Sequence, residues 1–141
     1  MIDQRTAPYA ALVLRVALGA MFIAHALLKY YVFTLPGTAQ FFQSLGLPAA
    51  AGYLTFWAEL IGGAAIHAGL FSRWVAAALL PVLLGAVWAH AGNGWLFTAQ
   101  NGGWEYPAFL AAAALAQALL GDGRYAVSNL FNARKPQGAY A

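Results

Sequence analysis

The stretch AALVLRVALGAMFIAHALLKYY, residues 10–31, decides the fold class of this chain. A helix that crosses a bilayer takes about 20 mostly apolar residues, and this stretch is long enough. It nevertheless contains Arg15, His25 and Lys29, and ionisable side chains in hydrocarbon are costly unless they face protein or water. We therefore expect a membrane helix whose polar stripe faces the interior of the protein.

The composition of the whole chain agrees with a membrane protein. Of its 141 residues, 62% are hydrophobic and 8% are charged, whereas soluble domains carry about 25% charged residues. Cysteine is absent, which excludes disulfides and thiolate chemistry on the chain's own sulfur. The net charge of +3 is small and the basic residues are scattered, so no nucleic-acid partner is indicated. The lipid bilayer is the first partner predicted.

Three further apolar runs follow the first, and they predict the fold. The expected spans are about 10–31, 49–70, 74–91 and 106–120, the last of them short for a bilayer. The prediction is an all-α, polytopic membrane protein with one domain over residues 1–141, built as a four-transmembrane-helix bundle.

The distribution of basic residues predicts the orientation of the bundle. The basic residues outside the spans are Arg5, Arg73, Arg124, Arg134 and Lys135. Cytoplasmic loops carry an excess of Lys and Arg, so both termini are expected in the cytoplasm, with a basic cytoplasmic tail over 121–141. The longer loops 32–48 and 92–105 then face outward.

A polar stripe links the first two predicted spans. At about 100° per residue, Arg15, His25 and Lys29 fall within roughly an 80° arc of the first helix. Glu59 lies near the middle of the second span, and Gly63 on the same face allows another helix to approach closely. An unpaired carboxylate in hydrocarbon is costly. We therefore expect Glu59 to pair with Arg15, with His25 as the second candidate.

Further polar groups converge at the outer ends of the helices, where His90 ends the third span and Glu105 opens the fourth. The candidate binding site comprises Arg15, His25, Lys29, Glu59, His90 and Glu105. For each of these, a purely structural role at a helix interface or helix end stays open. His67 lies toward the cytoplasmic end and is expected to serve in packing. No metal site is predicted, and two histidines at similar depth are only a weak signal for haem.

The ordered combination of segments resembles the DoxX family of small bacterial and archaeal membrane proteins. The segments that carry the resemblance are LRVALGAMFIAHALLK, LPGTAQFFQSLGLP, FWAELIGGAAIHAGLFSRWVA, HAGNGWLF and GGWEYP. The resemblance implies a multi-pass protein of the plasma membrane with four helices. It also implies a link to quinone-dependent oxidoreductases, in which some relatives are small membrane subunits, although it assigns no role to the individual polar residues.

Three functions follow as hypotheses. The first is the small membrane subunit or partner of a quinone-linked oxidoreductase, in which His25, Glu59 and Lys29 donate protons and Phe22, Phe56 and Trp57 line a slot for the quinone. Such a subunit would work with a soluble or peripheral oxidoreductase partner. The second is a non-catalytic scaffold or assembly protein, and the third is a small-molecule or proton carrier. Whether the chain is itself an enzyme and whether it forms a homo-oligomer stay open.

Overall fold

The structure, a computed structural model, describes residues 3–132, and every regular element within that range is helical. The elements in chain order are α1 (Ala7–Tyr31), α2 (Leu35–Ser44), α3 (Ala49–Ala68), α4 (Ser72–His90), a 3-10 turn (Ala91–Asn93), α5 (Glu105–Leu120) and α6 (Val127–Asn132). The all-α prediction is confirmed. The predicted basic tail 121–141 lies partly outside the described residues, since Arg134 and Lys135 are beyond them.

Three of the helical segments are long and apolar enough to cross a membrane. They are Ala7–Tyr31, Ala49–Ala68 and Ser72–Asn93. The fourth predicted span corresponds to α5, an apolar helix of 16 residues. Its length is about 24 Å at 1.5 Å per residue, against a hydrocarbon core of about 30 Å. These helices are those of a multi-pass membrane protein.

Helix α2 corrects the sequence-based expectation that residues 32–48 form a loop. The hydroxyl of Thr34 accepts a hydrogen bond from the backbone N–H of Gly37 at 3.2 Å, which caps the helix. Proline in the first turn is compatible with a helix start. The buried Thr38 and Ala39 face α3, where Gly52 brings the two backbones close together. The helix was missed because it has only 10 residues and no charged side chain.

Helices α1, α3, α4 and α5 enclose the hydrophobic core. α1 packs chiefly on α3 and α4 on α5, while contacts of α3 with α4 and of α1 with α5 join the two pairs. The buried core cluster comprises Leu18, Phe22, Ile66, Ala76, Leu79, Leu83 and Ala114. α2 packs on α3 at the end of the core where α1 finishes.

The α1–α3 contact depends on two glycines that face each other. A methyl group added at Gly19 would lie 2.7 Å from both the carbonyl oxygen of Gly63 and the backbone nitrogen of His67. A methyl group at Gly63 would lie 2.8 Å from Cβ of Phe22. The backbones therefore approach as closely as small residues allow, which is a common way of holding membrane helices together. The two helices run antiparallel, with Gly19 beside Gly63 fixing their register.

We expect Gly19→Ala to destabilise the protein and Gly85→Ala to leave it unchanged or slightly more stable. Alanine at position 19 overpacks a backbone contact, which costs about 1–3 kcal/mol. Gly85 also lies within a helix, but an added methyl group there meets nothing within 4 Å, and alanine is the better helix former. Thermal unfolding in detergent micelles, followed by circular dichroism, measures the difference. Equal melting temperatures for the two variants would contradict the close-packed contact.

Candidate functional site

A cavity of about 1140 Å³ opens at the end of the molecule where α1 and α4 finish and α5 begins. We call this end the cavity end. α1, α2, α3, α4, α5 and the segment between α4 and α5 all contribute to its lining. The aromatic residues in the lining are Phe22, Phe33, Phe41, Phe42, Phe97 and Tyr106. Three of these, Phe33, Phe41 and Phe97, are also exposed at the surface, and we call them the rim phenylalanines.

An ion pair between Lys29 and Glu59 lies in the cavity lining. The ammonium nitrogen of Lys29 donates to Oε2 of Glu59 at 2.6 Å, and the two side chains are only 16% and 9% exposed. Side chains on a helix lean toward its N-terminus. Because α1 and α3 are antiparallel, Lys29 and Glu59 lean toward each other, which closes the gap in depth between their backbones.

Arg15 lies at the opposite end of the molecule and does not pair with Glu59, so that expectation was wrong. Its side chain leans toward the start of α1, whereas Glu59 leans toward the start of α3, at the cavity end. Arg15 is 2% exposed. Its guanidinium donates to the carbonyl of His67 at 2.9 Å and to those of Arg124 and Tyr125 at 3.0 Å each.

The contacts of Arg15 join three parts of the chain. They connect α1 to the last turn of α3, where a cation also complements the helix dipole, and to the segment that follows α5. The backbone N–H of Arg124 donates to the carbonyl of Pro8 at 3.0 Å, and Asp122 accepts the backbone N–H of Ser72 at 2.6 Å. Arg15 is therefore a structural residue at what we call the Arg15 end.

His25 stands in the cavity lining, one turn before Lys29. Its Nδ1 lies 2.8 Å from the carbonyl oxygen of Met21, and its ring stacks on Tyr106 with centroids 5.5 Å apart and planes 23° apart. The hydroxyl oxygen of Tyr106 is buried and has no hydrogen-bond partner within residues 3–132. Tyr106 therefore presents its ring, and not its hydroxyl, to the cavity.

His90 lines the same cavity from the end of α4. Its Nδ1 lies 3.1 Å from the carbonyl oxygens of both Asn101 and Gly102. The side-chain amide of Asn93 donates to the same two carbonyls, at 3.1 Å and 2.9 Å. These bonds hold the segment between α4 and α5 against the last turn of α4, so His90 has a fixed ring orientation.

Glu105 is not part of the cavity lining. Its Oε1 accepts the backbone N–H of Phe97 at 2.8 Å, and its own backbone N–H donates to the carbonyl of Trp95 at 3.0 Å. Trp95 and Trp104 contact edge to face, with centroids 4.4 Å apart. Glu105 therefore closes the segment before α5, beside a separate recess of about 540 Å³.

The cavity thus brings together four of the six candidate residues: His25, Lys29, Glu59 and His90. The slot expected between Phe22, Phe56 and Trp57 is only partly formed. Phe22 lines the cavity, but Phe56 packs between Tyr30 and Trp57, and Trp57 is exposed at the surface. Within residues 3–132 no cluster of three or more His, Cys, Asp or Glu side chains has the geometry of a metal site.

Sequence reasoning missed the aromatic wall that α2 contributes, and it left Tyr106 out of the candidate binding site. For α2 a signal was present, namely a threonine cap followed by proline in the first helical turn. For Tyr106 the signal was weaker, since only the tertiary fold brings its ring against His25.

The fold defines an all-α, multi-pass membrane protein with an aromatic-lined cavity between its helices and a small group of polar side chains in the cavity lining. The DoxX family profile matches residues 10–92, which is more than half of the chain, and the chain belongs to the DoxX family. A protein of Bacillus subtilis (strain 168) described as "Putative oxidoreductase CatD" is 41% identical over 76 residues. The match covers 54% of this chain and 55% of that relative, so it spans about half the length of each. No solved structure matches the chain.

Removing one partner of the Lys29–Glu59 pair is expected to destabilise the protein more than removing both. Lys29→Met leaves a buried carboxylate, and Glu59→Gln leaves an ammonium without its counter-ion, each at a cost of about 3–5 kcal/mol. The double variant K29M/E59Q should recover a large part of the loss. The free energy of unfolding in micelles is measured for the wild type, both single variants and the double variant, which together form a double-mutant cycle. Strictly additive losses would contradict a direct pair.

Arg15→Met is expected to destabilise the Arg15 end, since it leaves the carbonyls of His67, Arg124 and Tyr125 without their donor. Buried groups left unsatisfied cost about 1–3 kcal/mol each. Trypsin should also cut faster after Arg124, because the segment is no longer held. Arg5→Met is the control, since Arg5 is exposed and its one hydrogen bond uses the backbone N–H. Strong coupling of R15M to E59Q would contradict the separation of the two sites.

Proposed function

We propose that this chain is the small membrane subunit of a quinone-linked oxidoreductase and that the cavity receives the quinone ring. The observation that carries the proposal is the cavity itself, a space of about 1140 Å³ with aromatic walls and a small polar group of His25, Lys29, Glu59 and His90. Ligand sites in proteins are concave and mostly apolar, with a few polar groups that fix orientation. A quinone matches this lining because it is a flat, uncharged ring with polar atoms at its edge.

The chemistry of the proposed reaction divides between this chain and a partner. One quinone takes up two electrons and two protons to become one quinol. Under this proposal the electrons come from the donor substrate of a soluble or peripheral oxidoreductase subunit, and none travels on sulfur of this chain, which has no cysteine. The residues of this chain orient the ring and exchange protons with it, for which histidine and the Lys29–Glu59 pair are suited.

The similarity to the Bacillus subtilis protein described as an oxidoreductase supports a redox-linked role. That support is partial, because the match spans about half of the relative. The cavity adds independent support. Lys29 and Glu59 come from two different helices, and a pair needed only for helix packing does not require an adjoining space of this size.

The proposal includes the topology of the chain in the plasma membrane. Arg5, Arg73 and Arg124 are all near the Arg15 end, where the start of α1, the α3–α4 turn and the end of α5 meet. At the cavity end the only basic side chain among residues 3–132, apart from histidine, is Lys29. This asymmetry favours both termini in the cytoplasm. Helix α5 connects the two ends and therefore serves as the fourth span, with local thinning of the bilayer.

Filling the cavity is expected to abolish quinone binding without unfolding the protein. Ala86 lines the cavity from α4, so Ala86→Phe places a ring where the quinone would lie. Ala78→Phe on the exposed side of the same helix is the matched control. Binding of a short-chain benzoquinone to the chain in lipid nanodiscs is measured by equilibrium dialysis, with empty nanodiscs as the blank. We expect saturable binding to the wild type and A78F, and at least a tenfold loss in A86F.

A folded wild-type chain that binds no quinone above the blank would overturn the proposal, and it would favour a scaffold that only assembles other subunits. Saturable binding that A86F leaves intact would overturn the assignment of the cavity. Extraction of lipids from the purified chain provides a second measurement, because a resident quinone should be recovered from the wild type and A78F but not from A86F.

A further inference from the structure

We propose that the cavity prefers the reduced, hydroxyl-bearing form of its ring ligand, the quinol, over the quinone. This inference rests on the proposed function and adds the redox form that the site selects. A quinol offers two O–H donors at its edge, whereas a quinone offers only carbonyl acceptors. The hydrogen-bonding atoms that the cavity leaves free decide between the two forms.

The tautomer of His25 is fixed by its neighbour on α1. A backbone carbonyl oxygen only accepts hydrogen bonds, so Nδ1 of His25, at 2.8 Å from the carbonyl oxygen of Met21, carries the proton. In the neutral ring Nε2 then has a free lone pair. Nε2 makes no hydrogen bond within residues 3–132, and the ring lines the cavity. His25 therefore offers the ligand an acceptor.

The same reasoning applies to His90, which is held by a different part of the chain. Two carbonyl oxygens, of Asn101 and Gly102, each lie 3.1 Å from its Nδ1. Both would repel an unprotonated nitrogen, and together they outweigh the longer 3.4 Å contact with the amide of Asn93. Nδ1 is thus the protonated nitrogen, and Nε2 of His90 is a second free acceptor beside the cavity.

The free acceptors of the lining outnumber its free donors. Glu59 gives Oε2 to Lys29 and has no protein partner for Oε1 within the described residues. The hydroxyl of Thr38 donates to the carbonyl of Thr34 at 3.0 Å, so its oxygen is left to accept. Tyr106 keeps its hydroxyl buried. The ammonium of Lys29 is the main donor, because it gives one N–H to Glu59 and keeps two. The exposed side-chain amide of Asn101 offers both a donor and an acceptor.

The charges of the lining indicate an uncharged ligand. Lys29 and Glu59 neutralise each other at 2.6 Å, and a neutral imidazole at His25 or His90 adds no charge. An ammonium or a carboxylate in the ligand would gain no net opposite charge, and would lose its hydration in an aromatic cavity. A neutral ring with two hydroxyl groups satisfies the free acceptors. A tenfold preference for the quinol raises the midpoint potential of the bound two-electron couple by about 30 mV.

The test compares three ligands of almost the same shape on the wild-type chain in nanodiscs. They are a short-chain benzoquinone, its hydroquinone kept reduced under argon, and the dimethyl ether of that hydroquinone, which has no O–H donors. We expect the hydroquinone to bind about tenfold or more tighter than each of the other two, since each hydrogen bond made or lost changes affinity severalfold.

Variants of the histidines assign the preference to particular acceptors. His25→Phe keeps a ring beside Tyr106 but removes Nε2, and His90→Phe does the same at the end of α4. Each should weaken hydroquinone binding severalfold and leave quinone binding nearly unchanged. His67→Phe is the matched control, because Nδ1 of His67 also faces a backbone carbonyl, that of Val16 at 3.2 Å, but His67 lies outside the cavity.

The outcomes separate the two proposals. Equal or tighter binding of the quinone or of the dimethyl ether overturns the quinol preference and leaves the quinone site standing. A quinol preference that persists in the H25F/H90F double variant overturns the role of the two imidazoles. Absence of binding by all three ligands overturns the proposed function and this inference with it. The ligand series requires only the wild-type chain, so it decides the preference even where a histidine variant does not fold.

Discussion

The close antiparallel contact of α1 and α3 at Gly19 and Gly63 is the constraint on which the other features depend. Once these backbones touch, the position of every other side chain along both helices is fixed relative to the partner helix. The direction in which helical side chains lean then sets which groups meet. On one side of the glycine contact Arg15 reaches the carbonyl of His67, and on the other side Lys29 reaches Glu59. The contact between Gly19 and Gly63 thus directs Arg15 to backbone carbonyls and Lys29 to a carboxylate.

The two ends of the molecule use their polar groups differently. At the Arg15 end, the polar bonds are made to the backbone: Arg15 holds three carbonyls, and Asp122 caps the start of α4. These bonds tie together chain segments that are far apart in sequence. At the cavity end, by contrast, the backbone bonds of His25 and His90 use only one ring nitrogen each. The other ring nitrogens have no hydrogen-bond partner within residues 3–132, and both rings line the cavity. The polar groups at this end are therefore not all used to hold the backbone, which is the physical difference between the two clusters.

The sequence predicted most of the fold, because long apolar runs and their boundaries follow from hydropathy and from Pro and Gly positions. Residues 10–31 and 49–70 closely match α1 and α3. The inward orientation of Glu59 could also be predicted, since a carboxylate is costly in lipid. The choice of its partner could not be predicted from depth alone. Counted along the helices, Arg15 and Lys29 are both close enough in depth for a long side chain to reach Glu59. Only the direction in which side chains point on two antiparallel helices favours Lys29.

The parts of the site that the sequence did not reveal come from short or irregular segments. Helix α2 has no charge and only 10 residues, so its aromatic side chains resembled those of an ordinary loop near a membrane surface. The bonds of Asn101 and Gly102 to His90 depend on the path of an irregular segment. No periodicity encodes such a path, and for the same reason the sequence could not show that Glu105 bonds to this segment and does not line the cavity.

The rim phenylalanines have a consequence for how the cavity is filled. Phe33, Phe41 and Phe97 come from three separate segments, and each exposes about half or more of its surface. If the cavity takes a hydrophobic ligand, as proposed, a ligand dissolved among the acyl chains can pass these phenylalanines without first entering water. The occupancy of the cavity would then depend on the concentration of that ligand in the bilayer, where hydrophobic compounds accumulate, so a modest intrinsic affinity would suffice.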